Sequence, residues 1–487
     1  MWPTWHSAPF NGLGTPAFTF YAPLVYYFTS FFQAIGLHVF SALKCTTVFF
    51  LGLGTIGFKR LLKNFCSSEL TQALGAFFFA ILPFQLLHFY IVFFFQYYCA
   101  TMFLPWLLAC FFSEAEINVK RASLILGLIA WTHLPAAMLS FYIVLIAQLP
   151  NLSTFKNLRR VGDVFLIAMM AGLFAAPYAI PAMLGRENIH FEFLENLLPW
   201  NRFDFLNDPD LFLDAPFETL KRFFRFSMIA FLPVNFVLIS ALFSKKINLK
   251  KQDYYGLLLP MLFLLVLTIR ESMFFWNVFP GLKVLQYPWR VCLPMAIISL
   301  PHFFALFEKT TIEGFLKKLI SATLVWIFFV SLIFQWYNWS RKQNLISDFE
   351  LEKSSYEGYP HEYLPKACNA ENLPFKSSKK CELTLIKSNK KVFPLKFDSE
   401  RSVFNFSVSE SQLAVFSQHW DSNLIVQVND EVLVSFPEGE CGQTGFFVKP
   451  GAQNITICRT QPFGRNLGWL LMGVYLLWFF RKRVSKT

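Results

Sequence analysis

The chain has 487 residues, 55% of them hydrophobic and only 15% charged, with a formal net charge of +12. An average soluble domain is about 25% charged, so this composition excludes an ordinary water-soluble multidomain protein. The Lys and Arg residues are scattered in short clusters between apolar blocks, whereas a nucleic-acid binder gathers them on one face; no nucleic-acid partner is expected.

Phe alone supplies 62 residues, in runs such as Phe77-Phe78-Phe79 and Phe93-Phe94-Phe95. Such runs have no polar face and suit lipid or the interior of a helix bundle. The chain opens MWPTWHSAPFNGLGTPAFTFYAPL, with no basic start before an apolar stretch, so it does not read as a signal peptide. The segment 16–36 is apolar but holds Pro16, Pro23 and several Tyr, and reads as an interfacial helix on the outer face. Apolar blocks long enough for a hydrocarbon core of about 30 Å follow near 39–58, 70–88, 94–113, 121–134, 137–150, 163–184, 223–244, 254–270, 289–308, 318–336 and 464–480.

Basic residues prefer the cytoplasmic side. Arg481, Lys482, Arg483 and Lys486 therefore put the C-terminus inside, and the region 338–463 outside. The clusters Lys59/Arg60/Lys63, Lys120/Arg121, Lys156/Arg159/Arg160, Lys245/Lys246/Lys250/Lys251 and Lys317/Lys318 then all fall inside on one alternation. The stretch 124–149 is interrupted at Thr132-His133-Leu134-Pro135 and reads as two half-length helices meeting at the outer side; one long kinked helix would put the cluster at 156–160 outside.

The expected fold is mainly α: a polytopic transmembrane helix bundle of about eleven spans, a small extracytoplasmic β-rich domain, and a C-terminal transmembrane helix. Residues 1–337 form the multi-pass domain, with outer loops at 1–38, 185–222 and 271–288. The β-rich domain is 338–463, and 464–487 are the last helix and a basic cytoplasmic tail. From about 391, runs such as VFPLKF, SVFNFSV, LIVQV, EVLVSF, GFFVKP and NITICR alternate with turn residues, the spacing of an antiparallel sandwich or meander. Membrane lipid is the one partner that the composition itself implies.

No phosphate-binding glycine loop, HExxH or CxxC is present. The candidates are polar residues where the topology makes them costly or exposed. His133 stands at the helix break, either as a functional ionisable group or as a neutral cap. Gln286 and Arg290 lie in LQYPWR at the mouth of a span; Arg290 either holds a phosphate bidentately or snorkels to the interface. Arg186 and Glu187 follow IPAMLG and read as a local ion pair before a site. The acidic run at 204–218 reads as a solvated loop, with a divalent metal as the alternative. Tyr21 and its aromatic neighbours anchor an interface or line a sugar or lipid groove. Cys368, Cys381, Cys441 and Cys458 lie in the outer region and could form two disulfides, in any of three connectivities.

The run GLGTPAFTFYAPLVYY at 12–27 resembles the first outer loop of the bacterial membrane proteins called 6-pyruvoyl-tetrahydropterin-synthase-related. The Ala76-to-Pro83 region, THLPAA at 132–137, LFAAPYAIPAML at 173–184, LKVLQYPWRV at 282–291 and EYLP at 362–365 follow in matching order. That family is similar in architecture to the GT-C glycosyltransferases. The resemblance implies a bacterial inner-membrane location, a GT-C-like arrangement, and transfer of a sugar from a polyprenyl-phosphate carrier. A carboxylate would act as base or metal ligand and cations would stabilise the leaving phosphate. Arg290 is then the phosphate candidate, His133, Gln286 and Tyr21 line the cavity, and Glu187 is the remaining carboxylate; no cofactor is identified beyond a divalent metal. The family pattern places a span and an acidic loop before the stretch beginning at Trp2, and charged residues where this chain reads Val92 to Tyr98. The expectation is a shortened or degenerate member lacking the usual base, with a non-catalytic carrier or assembly factor in envelope polysaccharide export as the alternative.

Overall fold

A computed structural model describes residues 15–82, 84–85, 95–112, 117–149, 155–189, 251–285, 288–308, 321–329, 382–397, 401–439, 442–462 and 464–481. The protein is mostly helical, with a β-sheet domain toward the C-terminus, and its chain divides into two compact units. One holds residues 22–175, 198–342 and 474–487; the other holds 1–21, 176–197 and 343–473.

In the first unit, α2 (Leu24–Ala34) and α3 (Val39–Leu62) form a hairpin in which Phe28 stacks on Phe49 and Thr29 Oγ1 lies 3.2 Å from Thr46 Oγ1. Chain entry through α1 (Ala17–Phe20) is broken from α2 at Tyr21-Ala22-Pro23, because Pro cannot supply the next helical N–H. Lys59 and Arg60 occupy the last turn of α3, where cations meet the negative end of the helix dipole. Ser68 then caps α4 (Glu69–Ala80) by accepting from the Thr71 N–H, and Phe79 stacks back on Phe58 with centroids 4.7 Å apart.

The expected span 94–113 is two helices, α5 (Phe95–Thr101) and α6 (Leu104–Phe111), separated at Met102-Phe103 because Pro105 starts a new helix. Likewise α4 stops at Ala80, shortly before Pro83, and the remainder of the expected span 70–88 lies largely outside the described residues. Contacts fix the direction of α6: Phe103, Trp106 and Phe112 meet Phe50, Leu53 and Phe65 in turn, so it runs parallel to α3. Trp106 approaches so closely that a Cβ on Gly57 would lie 2.4 Å from its indole.

Helices α7 (Val119–Thr132) and α8 (Leu134–Gln148) are joined by His133 alone. Arg121, at the start of α7, lies over the Trp106 ring at 5.7 Å. At the end of α8, Ala147 and Phe112 both abut Gly256 of α10 (Lys251–Val266). The start of α7 and the end of α8 therefore both lie against α6 and the residue that follows it, and the chain turns back at His133. Before it crosses into the other unit, the long α9 (Phe155–Gly185) receives an indole hydrogen bond from Trp131 on the Phe174 carbonyl, 2.9 Å. After the short α11 (Met273–Val278) comes α12 (Cys292–Glu308), buried on every side from Cys292 to Leu306. A helix apolar all round belongs at the centre of a bundle. Its Glu308 carboxylate accepts the Ser67 and Ser68 N–H groups at 2.9 and 2.8 Å, at the positive end of α4. Residues 321–329 are also helical.

The last helix, α13 (Arg465–Phe480), is capped from outside itself. Lys120 Nζ donates to the Phe479 and Arg481 carbonyls at 2.7 and 2.6 Å and lies 5.6 Å from the Trp478 ring. Among the described residues two helical stretches, Val39–Leu62 and Arg159–Asn188, are long and apolar enough to cross a membrane, and four more apolar helices are shorter.

In the second unit, the described residues form ten strands in two antiparallel five-stranded sheets. The strands are β1 (Leu383–Leu385), β2 (Lys390–Val392), β3 (Lys396–Phe397), β4 (Arg401–Val408), β5 (Gln412–His419), β6 (Leu424–Val428), β7 (Glu431–Leu433), β8 (Phe436–Glu438), β9 (Gln443–Val448) and β10 (Gly451–Arg459). One sheet has the order β2-β1-β5-β9-β8, the other β3-β4-β10-β6-β7. Inward residues of both sheets, among them Leu385, Phe416 and Phe446 of one and Phe404, Val426 and Ile455 of the other, share one core. Period-2 alternation places them there. The β6–β7 turn has φ of 49° at Asn429 and 70° at Asp430, the paired left-handed residues of a two-residue hairpin. Strand β5 is absent from the sequence reading: its residues are buried on both faces, so QLAVFSQH shows no alternation.

Cys458, one of the four cysteines of the disulfide expectation, is a free thiol on β10 between Arg401 of β4 and Ile425 of β6. Cys368, Cys381 and Cys441 lie outside the described residues.

In this same unit α13 meets the end of α9 backbone to backbone: a Cβ on Gly468 would lie 2.6 Å from the Ala176 carbonyl oxygen and the Pro177 Cα. Small residues permit such approaches between apolar helices. Gly468→Leu is expected to destabilise by about 1–3 kcal/mol or more, since backbone cannot yield. Gly473→Leu, where a Cβ meets nothing within 4 Å, serves as control. Lys120→Met should cost about 1–2 kcal/mol through the lost cap of α13. Thermal unfolding of the detergent-solubilised chain reads both; equal melting of all three variants and the parent would refute this packing.

Candidate functional site

Three elements of the helical unit converge at the turn between α7 and α8. His133 is at once the C-cap of α7 and the N-cap of α8, with φ −164° and ψ 106°. An extended residue cannot continue a helix, and the Pro135 that follows suits the first turn of the next one. Its N–H closes α7 on the Ile129 carbonyl at 2.7 Å, and its Nδ1 accepts the Ala136 N–H at 3.1 Å. Nδ1 is thereby the unprotonated ring nitrogen in this arrangement, since only a lone pair can accept.

Tyr97 of α5 supplies the wall. Its ring stands edge-on to the His133 ring, 5.6 Å between centroids at 80°. On the same ring lies the Arg290 guanidinium, with Cζ 5.7 Å from the centroid. The Tyr97 hydroxyl donates to the Arg290 carbonyl, and Arg290 Nη1 donates to the Leu285 carbonyl at 2.8 Å. Arg290 is 5% exposed, so it does not snorkel outward; the short 3-10 turn Pro288–Val291 leads it directly into the buried α12. Nearby on α5, Gln96 Nε2 donates to the Ala22 carbonyl at 2.8 Å, tying the start of α2 to the same helix.

The arrangement is a cation held against an aromatic face beside an imidazole, at a chain reversal. Such a guanidinium keeps planar donors in fixed orientation, suited to an anionic oxygen. Of the residues singled out in the sequence, the structure brings His133 and Arg290 together. Tyr21 and Glu187 belong to the other unit: Tyr21 ends α1, whose Phe20 carbonyl accepts the Tyr178 hydroxyl at 2.5 Å, and Glu187 is exposed on the 3-10 turn Arg186–Asn188. Gln286 and the acidic run 204–218 lie outside the described residues. Among the described residues no three His, Cys, Asp or Glu side chains are grouped to hold a metal.

Tyr97 is the residue that sequence reasoning missed. In the sequence it is one aromatic among many in an uncharged stretch, and only its contacts distinguish it.

A second buried polar group closes one end of the sandwich. Arg459 Nη1 donates to Gln418 Oε1 at 3.1 Å, and the Asp421 carboxylate accepts the N–H and Nδ2 of Asn423, both at 3.2 Å. Burial pushes the Asp421 carboxyl above the usual range, and the nearby Arg459 charge offsets that only in part.

No protein-family model matches the chain, and neither does any curated protein or any solved structure.

Proposed function

We propose that this chain is a polytopic bacterial inner-membrane protein of about eleven spans, GT-C-like in arrangement, with the β-sandwich outside and the C-terminus in the cytoplasm. Large apolar side chains on the helices face outward, among them Ile56, Leu70, Met169, Phe329 and Leu477, while Thr46, Ser123, Gln148 and Ser299 are buried. That inverted polarity suits a lipid surround. The ends of helices adjoining basic clusters, near Phe65, Phe112, Ala147 and Gly256, gather at one end of the helical unit, and His133 stands where the chain turns back. One alternation of basic loops requires that arrangement.

In this reading the outer face handles a polyprenyl-phosphate-linked sugar. The observation that carries it is Arg290, buried against Tyr97 beside His133. The bond from the anomeric carbon to the carrier phosphate oxygen would break, and one to an acceptor hydroxyl oxygen would form. The acceptor proton would pass to a carboxylate, and Arg290 would stabilise the charge left on the phosphate. The second reading is a non-catalytic carrier or assembly factor binding the same lipid phosphate. It draws on the exposure of Glu187 on its turn.

Binding of a short-chain polyprenyl monophosphate to the detergent-solubilised chain tests the shared step. Arg290→Ala is expected to weaken it about 10- to 100-fold, the loss of charge-assisted hydrogen bonds. Arg290→Lys, which keeps charge without the planar fork, should fall between. Undiminished binding by both variants would sink the reading. Sugar transfer by the parent chain then separates the two versions: transfer from the carrier to an acceptor supports catalysis, and binding without transfer supports the carrier.

A further inference from the structure

The two edges of the sandwich differ in charge. At one edge the chain passes from β2, the end strand of one sheet, to β3, the end strand of the other. That edge carries Lys390, Lys391 and Lys396, with Lys387 in the preceding turn, and between them Phe393 and Leu395, 51% and 70% exposed. Lys387 and Lys391 pair within the domain with Glu410 and Glu382, while each lysine side chain remains 58% exposed. At the opposite edge the chain passes from β7 to β8, again the end strands of the two sheets. There the charges are Asp430, Glu431 and Glu438, and the apolar side chains are Val432 and Val434, 64% and 86% exposed.

Each edge thus presents two end strands, a charged row of one sign and exposed apolar side chains. Edge lysines ordinarily guard a sheet against pairing. Here they repel a like edge but attract the opposite one. Every pairing within each sheet is antiparallel. In a five-stranded antiparallel sheet the first and last strands run in the same direction. A copy displaced sideways therefore brings β8 to β2 and β7 to β3 together, extending both sheets at once. A two-fold copy would instead set lysine against lysine.

We propose that the sandwich associates edge to edge with a second copy of this chain, the β2–β3 edge of one against the β7–β8 edge of the next. The contact is heterologous, so it builds a ring or a row rather than a closed two-fold dimer. It does not depend on the reading of Arg290.

The test is a charge exchange in the full-length, detergent-solubilised chain, using two differently tagged copies. Wild-type copies should capture one another, less so when salt rises from about 0.05 to about 0.5 M, because exposed charges are screened. The triple variant Lys390→Glu, Lys391→Glu, Lys396→Glu has two acidic edges and should lose capture of itself about tenfold or more. The double variant Glu431→Lys, Glu438→Lys has two basic edges and should do the same. Mixed together, these two should recover capture, since each offers the other an opposite edge. All substituted side chains are exposed or half-buried, and an unchanged melting profile establishes that each variant is folded. No capture between wild-type copies overturns the proposal, as does capture unaffected in either variant. Loss in both without recovery on mixing also overturns it and assigns the lysine edge to another anionic surface, such as lipid headgroups.

Discussion

The turn at His133 is the constraint on which the helical unit depends. Reversing a chain between two apolar helices leaves carbonyls at the end of the first and N–H groups at the start of the second. In a lipid surround each such group must find a partner within the protein. His133 meets this locally, donating its own N–H to α7 and accepting one from α8 with Nδ1. Because the turn is a single residue, the two helices stay close together, and the aromatic wall of Tyr97 fits against it.

That wall links the turn to the rest of the bundle. Tyr97 holds the Arg290 carbonyl, Arg290 holds the Leu285 carbonyl, and the chain then enters α12, the helix buried on all sides. A guanidinium in so dry a place is costly unless its donors are met. The protein supplies a carbonyl and a π-face, which orient the group.

The two units solve the edge problem of secondary structure differently. Helix ends in the first are met by side chains from elsewhere: Glu308 at the start of α4, and Lys120 at the end of α13. Sheet edges in the second are met by charge, lysine on one side and carboxylate on the other. Glycine sets the spacing where elements must touch, at Gly57 against Trp106 and at Gly468 against the backbone of α9.

Much of this architecture was legible in the sequence because it rests on periodicity and on proline. The helix break at His133-Leu134-Pro135, the interruption before α2 and most strands of the sandwich follow from local stereochemistry, which needs no partner. The sequence also marked His133 and Arg290, since polar residues inside apolar runs stand out. Several features were decided only by tertiary structure. Strand β5 was hidden because both its faces are covered, which erases alternation. The burial of Arg290, rather than its exposure at the interface, depends on the bundle that packs around it. Tyr97 became a site residue only when folding set its ring between two groups distant from it in the chain, and a contact of that kind leaves no local trace.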